Sequence, residues 1–205
     1  MNYRPLKRAL DIVGSASLLA ATAPVLAATA GAVAVGLGRP VLFTQQRPGK
    51  DGQIFTLYKF RSMREPNPDR GLVTDAQRLT SFGRLLRSTS LDELPSLWNV
   101  LRGDMSFVGP RPLLVTYLER YSPRQARRHE VRPGITGLAQ VSGRNALDWD
   151  ARFELDVEYV ETLSFAQDAR ILLRTVAAVL RRTGISAADH ATMSEFAGGS
   201  AGLAR

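Results

Sequence analysis

Asp92 and Glu93 stand side by side in the stretch Ser88-Thr-Ser-Leu-Asp-Glu-Leu-Pro95, with Arg84 and Arg87 just upstream and Arg102 and Arg111 downstream. Adjacent acids in a basic setting suit chemistry on a phosphate, where one carboxylate attacks and the other holds a metal. The same octapeptide also reads as the start of a helix. Asp92 would then be its N-cap, with Glu93 and Pro95 in the first turn, where a carboxylate meets the positive end of the dipole and proline loses no hydrogen bond. The neighbours decide which chemistry is open to the pair. Pro110 and Pro112 bracket Arg111 and restrict its backbone, presenting a guanidinium suited to gripping phosphate; the alternative is an ordinary arginine in a proline-rich turn.

The 205 residues carry a net charge of +8, nearly all of the positive charge being arginine, so anionic partners are expected: nucleic acid, a membrane surface or phosphorylated substrates. The basic residues are scattered without an aromatic-interleaved patch or docking motif, which argues against nucleic acid. Absence of cysteine excludes disulfides and thiolate metal sites, and two histidines, His129 and His190, exclude a histidine-rich metal centre.

The elements that must position the pair begin with Ile12 to Gly38, 27 residues without a charge. As a straight helix this stretch measures roughly 40 Å against a hydrocarbon core of ~30 Å. A cleaved signal, a single span and a hairpin that enters and leaves by one face all fit. Pro24 removes a backbone donor and clashes one turn back, so a sharp break is expected near Ala20 to Pro24. Each half would be too short to cross alone. Arg4, Lys7 and Arg8 on one flank and Arg39, Arg47 and Lys50 on the other suit anionic lipid on a single face.

Next, Val41 to Thr44 and Ile54 to Phe60 are β-prone runs separated by Arg47-Pro-Gly-Lys-Asp-Gly52, the pattern of a hairpin. Lys59 and Arg61 alternate onto the face of Phe55 and Leu57. Thr80 to Arg87 and Leu97 to Leu101 have helical spacing, the second stopped by Gly103. Arg124 to Arg132 reads as a basic helix, and Arg132 to Asn145 as a glycine-rich loop and strand near a ligand. Arg152 to Leu163 and Asp168 to Arg182 are amphipathic. The second places Leu172, Val176, Val179 and Leu180 together and suits either a membrane interface or a soluble core. From Gly184 on, the composition is that of a frayed tail.

Six collinear motifs carry a resemblance: Lys7 to Asp11, Tyr58-Lys-Phe-Arg-Ser-Met63, Leu91-Asp-Glu-Leu-Pro95, Gly103 to Pro112, Arg132-Pro-Gly-Ile-Thr-Gly137 and Gln140-Val-Ser-Gly-Arg-Asn145. The chain resembles the bacterial sugar transferase family, the monotopic phosphoglycosyl transferases, in its minimal catalytic form. That resemblance implies an α+β, mainly helical fold. A re-entrant, proline-broken membrane helix over 1–38 would precede a catalytic domain over 39–205, with a short β-hairpin, interfacial amphipathic helices and a flexible C-terminal tail. It implies transfer of a sugar phosphate from a UDP-sugar to undecaprenyl phosphate at the cytoplasmic face of the bacterial inner membrane, releasing UMP, with magnesium as cofactor.

By the same resemblance Asp92 is the nucleophile that forms a phosphosugar-aspartyl intermediate. Glu93 is associated with the metal, and Arg87 and Arg111 with phosphate. Members also carry a proline-centred break, often preceded by serine, where this chain has Ala23. Lys59, Arg144, Asn145 and Asp168 are further candidates for the sugar-nucleotide pocket, each with an alternative as a structural hydrogen-bonding residue. A helix N-terminus beside Asp92 would help to keep it ionised. The alternatives are a metal-dependent diphosphatase, which would need no lipid acceptor, and a membrane-anchored scaffold without turnover.

Overall fold

The computed structural model describes residues 3–143, 147–180 and 195–198. Arg144 and Asn145 lie outside the described residues, as does most of the expected tail.

Helix α1 spans Tyr3–Leu37 as one element with Pro24 inside it, so the proline does not divide it into two helices. The Thr22 hydroxyl donates back to the Leu18 carbonyl at 2.6 Å, a bond of the kind that bends helices without ending them. The flanking alanines are strong helix formers that carry the chain past the single bond that proline removes. Most of α1 is exposed apolar surface, yet both of its ends are docked. Near the N-terminus the Asp11 carboxylate accepts from the Ser106 hydroxyl at 3.0 Å and the Phe107 amide at 3.1 Å. Arg8 donates to the Val100 and Leu101 carbonyls at 2.7 and 2.8 Å. At the other end Val33 is buried against Phe60 and Leu86, and Arg61 donates to the Leu37 carbonyl.

Strands β1 (Leu42–Pro48) and β2 (Ile54–Phe60) form the expected antiparallel hairpin, pairing Leu42 with Phe60 through Pro48 with Ile54. The tight turn uses positive φ at Asp51 and Gly52. Chain order continues with the single turn α2 (Asp75–Arg78), α3 (Ser81–Ser88, capped by Thr80) and α4 (Ser96–Arg102), which ends at Gly103 with φ 96. Strand β3 (Ser106–Val108) pairs in parallel with β4 (Gly134–Thr136). Between them lie α5 (Pro123–Ala126) and a 3-10 turn over Arg127–Glu130, a tighter and more broken path than the basic helix expected there. Helices α6 (Leu138–Ser142), α7 (Trp149–Glu161) and α8 (Phe165–Leu180) close the body.

The fold is thus mainly helical with two small sheets. One core cluster joins Phe55 and Leu57 of β2 to Val100 and Met105; another joins Val108, Tyr159, Val160 and Ile171. α8 presents Ile171 inward and leaves Leu172, Leu173 and Val176 exposed. In the segment expected to fray, Phe196 is 3% exposed and packs against Tyr117, Tyr121, Trp149 and Phe153.

Candidate active site

The outer edge of β2 is capped by side chains of α4. Ser96 donates to the Tyr58 carbonyl at 2.8 Å, Asn99 donates to the Thr56 carbonyl at 2.7 Å, and the Tyr58 amide donates to the Asn99 side chain at 3.1 Å. A bare strand edge is a row of unmet backbone groups, and here two buried polar side chains meet it. This zipper fixes Lys59 of β2 against the residues that lead into α4, which are Asp92 and Glu93.

Those two residues sit in a 3-10 turn over Leu91–Glu93, entered through Ser90 in the left-handed region at φ 57, ψ 17. The N-cap position of α4 is Pro95, without a side-chain cap. Asp92 is therefore not the helix cap that its sequence setting allows. The left-handed Ser90 starts the turn one step early and leaves the Asp92 carboxylate unused by α4.

Around the pair stand three cations from three elements. Lys59 donates to Glu93 Oε1 at 2.5 Å, and Arg111 Nη2 donates to the same oxygen at 3.1 Å. Arg87, at the end of α3, is steered by a 3.0 Å bond from its Nε to the Ser62 hydroxyl. Arg111 is set by its backbone as the Pro-Arg-Pro bracket suggests. Its carbonyl accepts from Arg128 at 2.6 Å, and Arg128 in turn donates two buried hydrogen bonds to one carboxylate oxygen of Asp156. The preceding Gly109 and Gly134 touch so closely that a side chain on Gly134 would stand 2.1 Å from the Gly109 amide.

Electrostatically the two acids diverge. Burial raises the Asp92 carboxyl to about 6, with the Glu93 charge adding to the effect and Lys59, Arg87 and Arg111 working against it. For Glu93 burial also acts upward, but Lys59 and Arg111 outweigh it and hold the group down at about 2. Desolvation and the neighbouring Glu93 charge are thus the upward influences on Asp92. Burial likewise pulls the Lys59 ammonium down, with Arg111 adding to the pull and Glu93 resisting it. Two carboxylates with separated affinities for protons are the usual mark of a divided chemical task. Among the described residues Asp92 accepts no hydrogen bond, which leaves its oxygens available for a new bond.

Asp168 stands elsewhere. Its carboxylate accepts from Tyr3 and Tyr159 at 2.7 Å and from Lys7 at 2.6 Å, knitting α1, α7 and α8 together. That is the structural alternative open to it from the start, and it is not joined to Asp92 by any of these contacts. Ser62, Ser96 and Asn99, which aim the group, were passed over in sequence because their partners lie 25, 38 and 43 positions away.

Comparison with known proteins adds the following. A family model described as "Bacterial sugar transferase" matches residues 2–182. The "Uncharacterized sugar transferase EpsL" of Bacillus subtilis (strain 168) is 51% identical over 194 residues, covering 94% of this chain and 96% of that one. The "UDP-glucose:undecaprenyl-phosphate glucose-1-phosphate transferase" of Caulobacter vibrioides is 45% identical over 188 residues, covering 85% and 69%. The "Undecaprenyl-phosphate galactose phosphotransferase" of Salmonella typhimurium is 42% identical over 200 residues, covering 88% of this chain and 42% of that longer one.

Proposed function

The chain belongs to the bacterial sugar transferase family, and we propose that it moves a sugar phosphate from a UDP-sugar to undecaprenyl phosphate, releasing UMP and starting glycoconjugate assembly. The printed activities of the Caulobacter and Salmonella relatives support this reaction class. The observation that carries the mechanism is the buried Asp92 carboxylate, which accepts no hydrogen bond among the described residues and lies beside Lys59, Arg87 and Arg111.

In the first displacement an Asp92 oxygen bonds to the sugar-bearing phosphorus, and the bond from that phosphorus to the bridging oxygen of UMP breaks. In the second, an oxygen of undecaprenyl phosphate bonds to the same phosphorus. The acyl-phosphate bond breaks, and the Asp92 carboxylate is restored. Arg87 and Arg111 offset the charge that gathers on the phosphoryl oxygens. Lys59 keeps Glu93 ionised and in place.

A magnesium ion fits this donor set in one form. Among the described residues no group of three or more potential ligand side chains occurs. Magnesium is commonly held by one or two carboxylates together with substrate phosphates, and Glu93, with Asp92 beside it, would supply the protein's share. When bound, the ion would neutralise phosphate charge.

The anchor belongs to this reading. A helix of 35 residues is long enough to cross a bilayer. Yet Arg8 at one end and Leu37 at the other both bind the catalytic body. A spanning helix would carry one of these ends to the opposite side. We therefore read α1 as re-entrant, dipping into the cytoplasmic leaflet of the inner membrane, with the exposed Leu172, Leu173 and Val176 of α8 resting at the interface.

The test is direct. Incubation with a UDP-sugar labelled in its sugar-linked phosphate should leave a protein-bound adduct, and Asp92→Asn should abolish it together with UMP release. Persistence of the adduct in Asp92→Asn would remove the nucleophile role. Release of free phosphate without undecaprenyl phosphate would favour a diphosphatase instead.

A further inference from the structure

The hairpin has a second face, turned away from the acid pair. In β2 the side chains of Ile54, Thr56 and Tyr58 alternate with those of Phe55, Leu57 and Lys59, and it is Lys59 that holds Glu93. Gln46 of β1 stands opposite Thr56 in the antiparallel register and donates to its hydroxyl at 3.0 Å. Where this face meets the end of α4 there is an open pocket of about 210 Å3. It is lined by Gln46, Ile54, Thr56 and Tyr58 from the hairpin and by Arg102 and Asp104 from either side of Gly103.

The lining sets the chemistry of an occupant. Arg102 Nε lies 3.7 Å from the Asp104 carboxylate, a loose pair whose guanidinium is half exposed. One positive and one negative group leave the lining without net charge, so it selects for an uncharged polar ligand over a phosphate or an ammonium. The Tyr58 hydroxyl has no hydrogen-bond partner among the described residues. A carboxylate and a guanidinium each engage two adjacent hydroxyl groups in a fork, and the Gln46 amide and Thr56 hydroxyl both donate and accept. The Tyr58 ring and the exposed Ile54 offer apolar surface to ring carbons. A few convergent polar groups beside such surface are the usual make-up of a small-molecule site, and the volume falls below the roughly 300–1,000 Å3 of drug-sized ones. Hydroxyl-rich, uncharged and small describes a single sugar ring.

We propose that this pocket binds one neutral sugar unit, free or carried as a lipid headgroup, at a site separate from the cleft of Asp92. The inference goes beyond the transfer reading and stands without it. One side chain ties the pocket to the cleft. Asn99 Nδ2 donates to Asp104 Oδ2 at 3.2 Å and to the Thr56 carbonyl at 2.7 Å, and Asn99 Oδ1 accepts from the Tyr58 amide. A sugar hydroxyl bonded to Asp104 therefore acts on the amide group that fixes β2, and with it Lys59. Occupancy of the outer face is felt by the strand that holds Glu93 in place.

The experiment is a saturation-transfer NMR titration of the full chain in lipid nanodiscs with methyl glucoside, methyl galactoside, N-acetylglucosamine and inorganic phosphate. At least one sugar is expected to bind, without competition from phosphate. Gln46→Ala should weaken that sugar by about fivefold and Arg102→Gln by about tenfold, the worth of one neutral and one charge-assisted hydrogen bond. Where Arg102→Gln fails to fold, Tyr58→Phe removes only the unpaired hydroxyl and faces the same outcomes. The Tyr58 amide should exchange with solvent more slowly once the sugar is bound. Nanodiscs carrying the diacylglycerol glycoside of the same sugar separate the sources: competition identifies a lipid headgroup, its failure a soluble sugar, and both fit the pocket. Binding of none of the sugars would overturn the proposal, as would affinity within twofold of wild type in both variants. Displacement of the sugar by UDP would place it in the cleft and overturn the proposal too.

Discussion

At the scale of single residues, Asp92 is held in a form that costs stability. Its carboxyl titrates near 6 in the fold against 3.8 for the free group, so the folded state binds the extra proton between those values. Where the folded state holds more protons, stability falls as pH rises. A shift of about two units corresponds to roughly 3 kcal/mol at most. Asp92→Asn should therefore be the more stable protein at pH 7.5, by on the order of 1–3 kcal/mol, and should lose that advantage near pH 4. Chemical denaturation at the two pH values checks this, and a wild type that gains on the variant as pH rises would contradict it. Under the proposed mechanism activity has the opposite slope, because an ionised Asp92 oxygen would be the attacking group: single-turnover adduct formation should climb through pH 6 and then level. The acid pair itself was legible in the sequence, since adjacency survives folding. Its polarity was not, because the burial of Asp92 and the shared grip on Glu93 depend on residues brought from β2 and from the Pro-Arg-Pro bracket.

Elements explain why those residues arrive where they do. The antiparallel hairpin, α3 and α4 announce themselves through turn residues, caps and spacing, and all three stand close to their expected positions. What the pattern could not convey is the capping of a strand edge by Ser96 and Asn99, or the left-handed Ser90 that denies Asp92 a capping role. Asp168 illustrates the converse: a lone acid opening an amphipathic helix carries no mark of whether it faces ligand or neighbouring helix. One close approach can be tested. α3 lies so near the chain after β2 that a side chain on Gly83 would fall 1.8 Å from the Ser62 carbonyl oxygen. Gly83→Ala should destabilise by about 1–3 kcal/mol, the usual cost of forcing backbone apart. It should also lower activity by moving Ser62 away from Arg87. A variant with wild-type melting temperature and activity would show that α3 yields freely.

For the molecule as a whole, the arrangement of charge and grease sets an orientation. A chain of net charge +8 with exposed leucines and valines on α1 and α8 is suited to an anionic membrane surface. The absence of cysteine makes this measurable. A cysteine fused ahead of Met1 and another at the exposed Asp69 should both react with an impermeant maleimide in inside-out vesicles, and neither in intact spheroplasts. Labelling from opposite sides would exclude the re-entrant reading. Hydropathy made the apolar segment visible. Its docking at both ends was hidden, because Arg8, Asp11 and Val33 find their partners 92, 95 and roughly 27 positions along the chain.

That docking has a practical corollary. The apolar helix is a keel rather than a mooring line: Arg8 closes the C-terminal carbonyls of α4, the helix that begins three residues after Glu93, and Lys7 and Tyr3 complete the Asp168 junction. Cutting it away to obtain a soluble enzyme would strip Phe60 and Leu86 of their cover and leave a buried carboxylate without its ammonium. Anchors exchanged between relatives must for the same reason be exchanged together with the surfaces that receive them, because the apolar helix and the segment that carries Asp92 and Glu93 are joined through α4.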